Sequence, residues 1–110
     1  MRGRRAVDLL SLPVRLRGIE LGRVVDALVD PGTGRIVGFE VVCGDEGKRF
    51  LPFAVAELRP HEIVLTSALT LIDERDLDFY RSRSRRLADL GFVDPWVDED
   101  GLVHEALSAA

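Results

Sequence analysis

The sequence predicts a mainly β fold: a small β-barrel of about five to six strands, followed by a C-terminal α-helix and a short extension. Three observations predict it. From Leu12 to Thr66, short β-branched runs alternate with glycine turns. Within those runs apolar and polar residues alternate, which is the period of a half-buried strand. Beyond Ile72 the spacing becomes helical and acidic residues accumulate. The organisation expected is a barrel over residues 8–70, a helix over 73–91 and an acidic extension over 92–110.

Residues 1–11 read as a loose lead-in in which Arg2, Arg4 and Arg5 are solvated. The first strand is expected over Leu12–Arg17, with Leu12, Val14 and Leu16 on one face. Gly18 turns the chain into a second strand, Glu20–Val29. Asp30-Pro31-Gly32-Thr33-Gly34 is the strongest turn signal: proline presets φ at one corner and glycine tolerates positive φ at the next. A third strand, Arg35–Cys43, pairs back as a hairpin, with Val37, Phe39, Val41 and Cys43 as its core face and Gly38 marking a bend or bulge. Gly44–Gly47 turns into a short strand, Lys48–Leu51. Pro52–Leu58 suits one helical turn, with Phe53 plugging a barrel mouth, and Glu62–Thr66 is a last strand. Acids at Asp73, Glu74 and Asp76 favour the positive end of a helix dipole. From Arg75 to Leu90 the stripe Leu77, Tyr80, Ser84, Leu87 has helical spacing, and Gly91 is a natural stop.

Composition bounds the function. The chain has 110 residues, 46% of them apolar, enough for one domain with a core of its own. No apolar run approaches the roughly 20 residues that cross a bilayer, so membrane insertion is not expected. Asp8 and Pro13 interrupt the only stretch resembling a signal peptide. The lone cysteine, Cys43, forms no internal disulfide and suits a reducing compartment. The expected location is cytoplasmic. The net charge of −4 argues against general nucleic-acid affinity. That charge is uneven: residues 1–70 hold ten basic and nine acidic side chains, residues 71–110 five and ten.

The ordered set Gly18-x-Glu20-Leu21-Gly22-x-Val24-x-Asp26-x-x-Val29-Asp30, then Thr33-Gly34-Arg35-Ile36-Val37-Gly38, then Leu51-Pro52-Phe53 and Val55, resembles the PRC-barrel family. This is the small β-barrel of the photosynthetic reaction-centre H subunit's cytoplasmic domain, related to the C-terminal domain of a ribosome maturation factor. The resemblance covers about residues 8–70. It implies a binding module without catalysis, an adaptor that packs on other proteins through its surface, with free-standing copies as dimers. It supplies no catalytic residue; the glycines and Asp30 carry over as turn-makers only.

The candidate chemistries are weak. Cys43 has no base placed by any motif and reads as a buried structural thiol. His61 and His104 do not make a metal-ligand spacing with it. Asp26 and Asp30 lie four apart on a strand, about 13 Å, too far to share a proton; Asp26 reads as solvated and Asp30 as a turn cap. Asp98-Glu99-Asp100-Gly101 lacks the ligands of a calcium loop and reads as a turn. Gly32-x-Gly34-x-x-x-Gly38 precedes a strand rather than the helix a phosphate-binding loop needs. Arg81, Arg83, Arg85 and Arg86 wrap round a helix instead of forming one stripe, which suits a solvated helix with ion pairs to Asp78 and Asp89. Phe79 and Leu90 lie off the apolar stripe, and Trp96 follows Pro95 in an acidic stretch. These three either cover the barrel's own end or anchor a partner.

The expectation is therefore a non-enzymatic adaptor that self-associates as a homodimer, with Phe79, Leu90 and Trp96 as interface candidates and neither catalytic residues, cofactor nor metal. The alternative is a ribosome- or RNA-linked accessory protein. A small-molecule barrel ranks third, because side chains fill barrels this narrow.

Overall fold

The computed structural model describes residues 3–44, 47–67 and 71–105. Arg2, the middle of the Gly44–Gly47 turn and the end of the acidic extension lie outside the described residues. The fold is mainly β. In chain order the strands are β1 (Gly3–Arg5), β2 (Pro13–Leu16), β3 (Ile19–Val29), β4 (Ile36–Cys43), β5 (Lys48–Pro52), β6 (Glu57–Arg59), β7 (Glu62–Leu65), β8 (Arg85–Arg86), β9 (Trp96–Asp98) and β10 (Val103–His104). Two α-helices, α1 (Ala6–Leu9) and α2 (Glu74–Ser82), join them.

The principal sheet has the order β5-β4-β3-β2-β7-β6, with β8 pairing on the far end of β3. It does not close into a barrel. β5 and β6 are the two ends of the order. The free edge of β5 is instead capped at one point, where Phe50 and Ile72 exchange both backbone hydrogen bonds at 2.9 and 2.8 Å. Covering an edge removes its exposed donors and acceptors much as closure does.

The β3–β4 hairpin is built as expected. Asp30 holds the turn: its Oδ1 accepts from the Gly32 amide at 2.8 Å, and its carbonyl accepts from Gly34 at 2.8 Å. Register slips next to this turn decide which side chains face inward. Val24 pairs with Val41 but Asp26 with Glu40, so Val25 is an extra residue. Leu28 pairs with Gly38 but Val29 with Ile36, so Val37 is another. Each bulge reverses the side-chain parity of its strand. Phe39 and Val41 stay in the main core as expected, and Cys43 packs against it. Ile36 joins that core, and Val37 passes to the opposite face, which corrects the strict alternation read from the sequence.

Two apolar clusters result. The main one joins Val14, Val24, Ala27, Phe39, Val41, Leu51 and Ile63 across five strands. The smaller one, Leu28, Phe50 and Leu77, lies beneath α2 with Tyr80, Ile72 and Val37 around it. Phe53, in a 3₁₀ turn over Phe53–Val55, packs against the main cluster, and β6 follows where a helical turn to Leu58 was expected.

Both chain ends depart from expectation. The lead-in is ordered: β1 pairs with β9, while Ala6 and Leu9 of α1 are buried in the main core. The expected helix over 73–91 stops at Ser82. The Ser84 hydroxyl then donates to the Tyr80 carbonyl at 2.5 Å, Arg85 and Arg86 pair with Val29 and Leu28, and Leu87–Leu90 forms a 3₁₀ turn. The reason is tertiary. Leu77 belongs to the smaller cluster and Leu87 to the main one, and one straight helix face cannot bury both. The acidic extension contributes the hairpin β9–β10, whose turn docks on the first hairpin: Ile36 donates to the Gly101 carbonyl at 2.7 Å and Val103 to the Gly34 carbonyl at 2.9 Å.

Candidate functional site

Among the described residues, a cluster of charged groups lies between the sheet and α2. The register places Asp26, Glu40 and Phe50 side by side on β3, β4 and β5, with Leu28, Gly38 and Pro52 in the next row. At Gly38 a β-carbon would run into the Leu51 carbonyl oxygen and the Phe50 ring, so the glycine lets that ring lie flat over β4. Tyr80 of α2 stacks on Phe50, with centroids 4.1 Å apart and planes 12° from parallel. This stack sets the helix over the two acids.

Glu40 is only 2% exposed. A buried carboxylate needs a charged partner, and Glu40 has two. Arg81 Nε donates to its Oε1 at 2.6 Å, and Arg86 Nη2 lies 3.7 Å from its Oε2. Arg86 Nε also lies 3.8 Å from Asp26 Oδ2, and Arg81 Nη1 3.5 Å from Asp78. Asp26 Oδ1 accepts from the Ala27 amide at 2.8 Å. Burial pushes the Asp26 carboxyl above its usual range; the Ala27 amide and Arg86 oppose that rise, while the Glu40 charge adds to it. The Glu40 hydrogen bond makes Arg81 hold its proton more firmly than usual. Beside this cluster a cavity of about 280 Å³ is lined by Ser84, Arg85 and Asp89. Two guanidinium groups lie against two carboxylates here, with only Arg81 Nη2 buried and without a hydrogen-bond partner among the described residues, so the arrangement suits fastening α2 and β8 to the sheet better than moving protons.

Asp26 is therefore not the solvated strand residue its position suggested. Arg81 and Arg86 are not merely decorations of a solvated helix, although the Asp78–Arg81 pair does form. A sequence signal for this cluster exists: Glu40 is the one charge inside Ile36–Cys43, an otherwise apolar strand.

The three interface candidates have separate settings. Phe79 on α2 is 53% exposed. Its ring meets Tyr80 edge-on at 5.2 Å, and the Arg83 guanidinium sits 3.7 Å from its centroid. Leu90 packs against the main core. Trp96 on β9 is half-buried and stacks on His104, centroids 4.2 Å apart. His104 Nε2 lies 2.9 Å from Asp98 Oδ2. Asp98 Oδ1 accepts from the amides of Asp100 and Leu102. The His104 hydrogen bond, with those amides, holds the Asp98 carboxyl below the usual carboxylate range. The Asp98–Gly101 segment is thus a side-chain-stapled turn, as its sequence suggested.

A second feature was not visible in the sequence. A groove of about 630 Å³ separates β6 from the β1–β9 sheet. Phe53, Ala56, Leu58, Pro60 and Val97 are among its apolar lining, and Arg4, Asp98 and Glu99 are its charged lining. Arg4 Nη1 crosses it to the Arg59 carbonyl at 2.7 Å. Among the described residues no helix is long and apolar enough to cross a membrane, and no three His, Cys, Asp or Glu side chains gather as a metal cage.

A family model described as PRC-barrel domain matches residues 1–69. No curated protein matches the chain.

Proposed function

The chain belongs to the PRC-barrel domain family, and from that premise we propose that it is a non-catalytic protein–protein interaction module that associates with a second copy of itself. The observation that carries this reading is Phe79. An aromatic ring left half in water, yet held by an edge contact from Tyr80 and a cation over its face, has little conformational freedom to lose on docking. Asp78, 85% exposed, precedes it on the helix, and Arg83 caps the helix just after Ser82. Antiparallel pairing of two α2 helices sets the acid of each copy toward the arginine of the other, which is the self-complementarity a two-fold interface requires.

Light scattering on the full chain after size exclusion tests the proposal. The expected particle has twice the 12.2 kDa chain mass, and Phe79→Asp returns it to a monomer with an unchanged far-ultraviolet spectrum. A parent chain that stays monomeric when concentrated refutes self-association, and a dimer untouched by Phe79→Asp refutes this surface. The ribosome- or RNA-linked alternative has less support. Arg81 and Arg86 lie against Glu40 and Asp26, while Arg83 stacks on Phe79. Phosphate contacts would also make binding fall steeply with salt.

A further inference from the structure

We propose that the groove between β6 and β1 binds an extended peptide segment of a partner protein, added as a strand along β6, with an acidic group toward Arg4 and a basic group toward Glu99. The strand order makes β6 the last strand of the principal sheet and β1 an outer strand of the small one. Two sheet ends thus face one apolar trough. A strand at a sheet end is a template for another extended chain, whose backbone supplies affinity while alternate side chains enter pockets. The Arg59 carbonyl on β6 already accepts a side-chain hydrogen bond from Arg4, a contact that an added strand would exchange for a backbone donor of its own.

The groove also has a direction. Phe53, four residues ahead of β6, lies against Gly101, whose β-carbon position is 3.0 Å from the ring, and the exposed Glu99 of the same turn lines the groove together with Ala56, the residue before β6. At the other end of β6, Arg4 reaches Arg59 beside Pro60. Arg4 bonds there to a neutral carbonyl and has no acidic partner among the described residues. Asp98 is occupied by His104, which leaves Glu99 as the outward acid at the opposite end. An extended segment lying along β6 therefore meets a cation at one end, apolar lining between, and an anion at the other. The volume, about 630 Å³, falls within the ~300–1,000 Å³ of clefts that hold small ligands and suits a few peptide residues.

The test uses the full-length chain and a phage-displayed library of short random peptides. Selected peptides are expected to alternate apolar and polar residues, with an acid at one end and a base at the other. A synthetic copy should shift the amide resonances of Glu57–Arg59 and Gly3–Arg5 and leave those of α2 in place. Arg4→Glu should weaken binding about tenfold, and Arg4→Glu with Glu99→Arg should restore it for the charge-reversed peptide. Arg4→Gln, which keeps a donor for the Arg59 carbonyl, separates loss of charge from loss of fold. No enrichment, peptides of helical period, or shifts confined to α2 overturn the proposal. So does a second copy of the chain filling the same amides without peptide. The groove does not involve Phe79, so peptide failure with an intact dimer rejects this inference alone, and loss of the dimer with intact peptide binding rejects only self-association.

Discussion

Replacing Arg81 with methionine isolates the ion pair that fastens α2 to the sheet. Methionine keeps most of the apolar stem, so the loss is mainly of charge and hydrogen bond. Arg81 Nε sits 2.6 Å from the Glu40 carboxylate, and the two side chains are 27% and 2% exposed. With charge centres about 4 Å apart and an effective dielectric constant of about 20, the direct attraction is about 4 kcal/mol. Breaking a buried pair by removing one member costs about 3–5 kcal/mol, because the remaining charge stays buried. Arg86, 3.7 Å from Glu40, keeps part of the compensation. The expected loss is therefore about 3 kcal/mol, a fall in Tm of about 12 °C for a domain of this size. Urea and thermal melts of Arg81→Met, Glu40→Gln and the double variant measure it. In the double variant the two losses should overlap by about 2 kcal/mol, since neither charge is left facing a vacated partner. A loss below about 1 kcal/mol for Arg81→Met, the range of an exposed pair, or strict additivity, refutes the account of this cluster.

Two further substitutions probe the same face. Asp26→Asn keeps an acceptor for the Ala27 amide and removes a charge whose pKa burial raises. A raised carboxyl stabilises the fold most when protonated, below its unfolded value of 3.8, and loses that contribution as pH rises through the elevated folded value. The variant should thus equal or exceed the parent at neutral pH, with the gap closing in acid; a clear loss at neutral pH would mean that pairing with Arg86 outweighs burial. Gly38→Ala should cost about 2–3 kcal/mol, since its β-carbon meets the Leu51 carbonyl and the Phe50 ring, whereas Gly44→Ala, which meets open space, should stay within about 0.5 kcal/mol in the same melts.

Local chemistry was legible where it acts locally. Asp30 and its glycines specify their turn through bonds between residues two to four apart, so the hairpin was readable from those residues alone. Strand β3 begins within a residue of its expected start for the same reason. The interior alternation was misread at Val37, because a bulge is a property of two paired strands and not of one run of letters. β1 is not legible in the sequence because its partner, β9, lies far along the chain, and Gly3-Arg4-Arg5 has no strand-like alternation of its own. The helix was overextended because Leu77, Tyr80, Ser84 and Leu87 do keep helical spacing; what ends it is the demand that Leu77 and Leu87 enter different cores. The ion cluster was half legible. Glu40 stands out in an apolar strand and the arginines stand out in their run, but only the fold brings Arg81 to an acid forty-one residues away.

The family match ends at residue 69, yet the fold does not. Leu77, Leu87 and Val97 are all buried, two of them in the main core, and the Gly101 carbonyl accepts from Ile36 while the Val103 amide donates to Gly34 of the first hairpin. Without these residues Glu40 would face water without Arg81 or Arg86, Phe50 would lose Tyr80, and β1 would lose its only described partner strand. The segment beyond the matched region thus completes the sheet rather than trailing from it. It also supplies Phe79, Val97 and Glu99, which belong to the two proposed contact surfaces. The two proposed contact surfaces therefore draw on both parts of the chain: Phe79, Val97 and Glu99 come from residues 71–105, while Arg4, Phe53 and Leu58 come from the matched region.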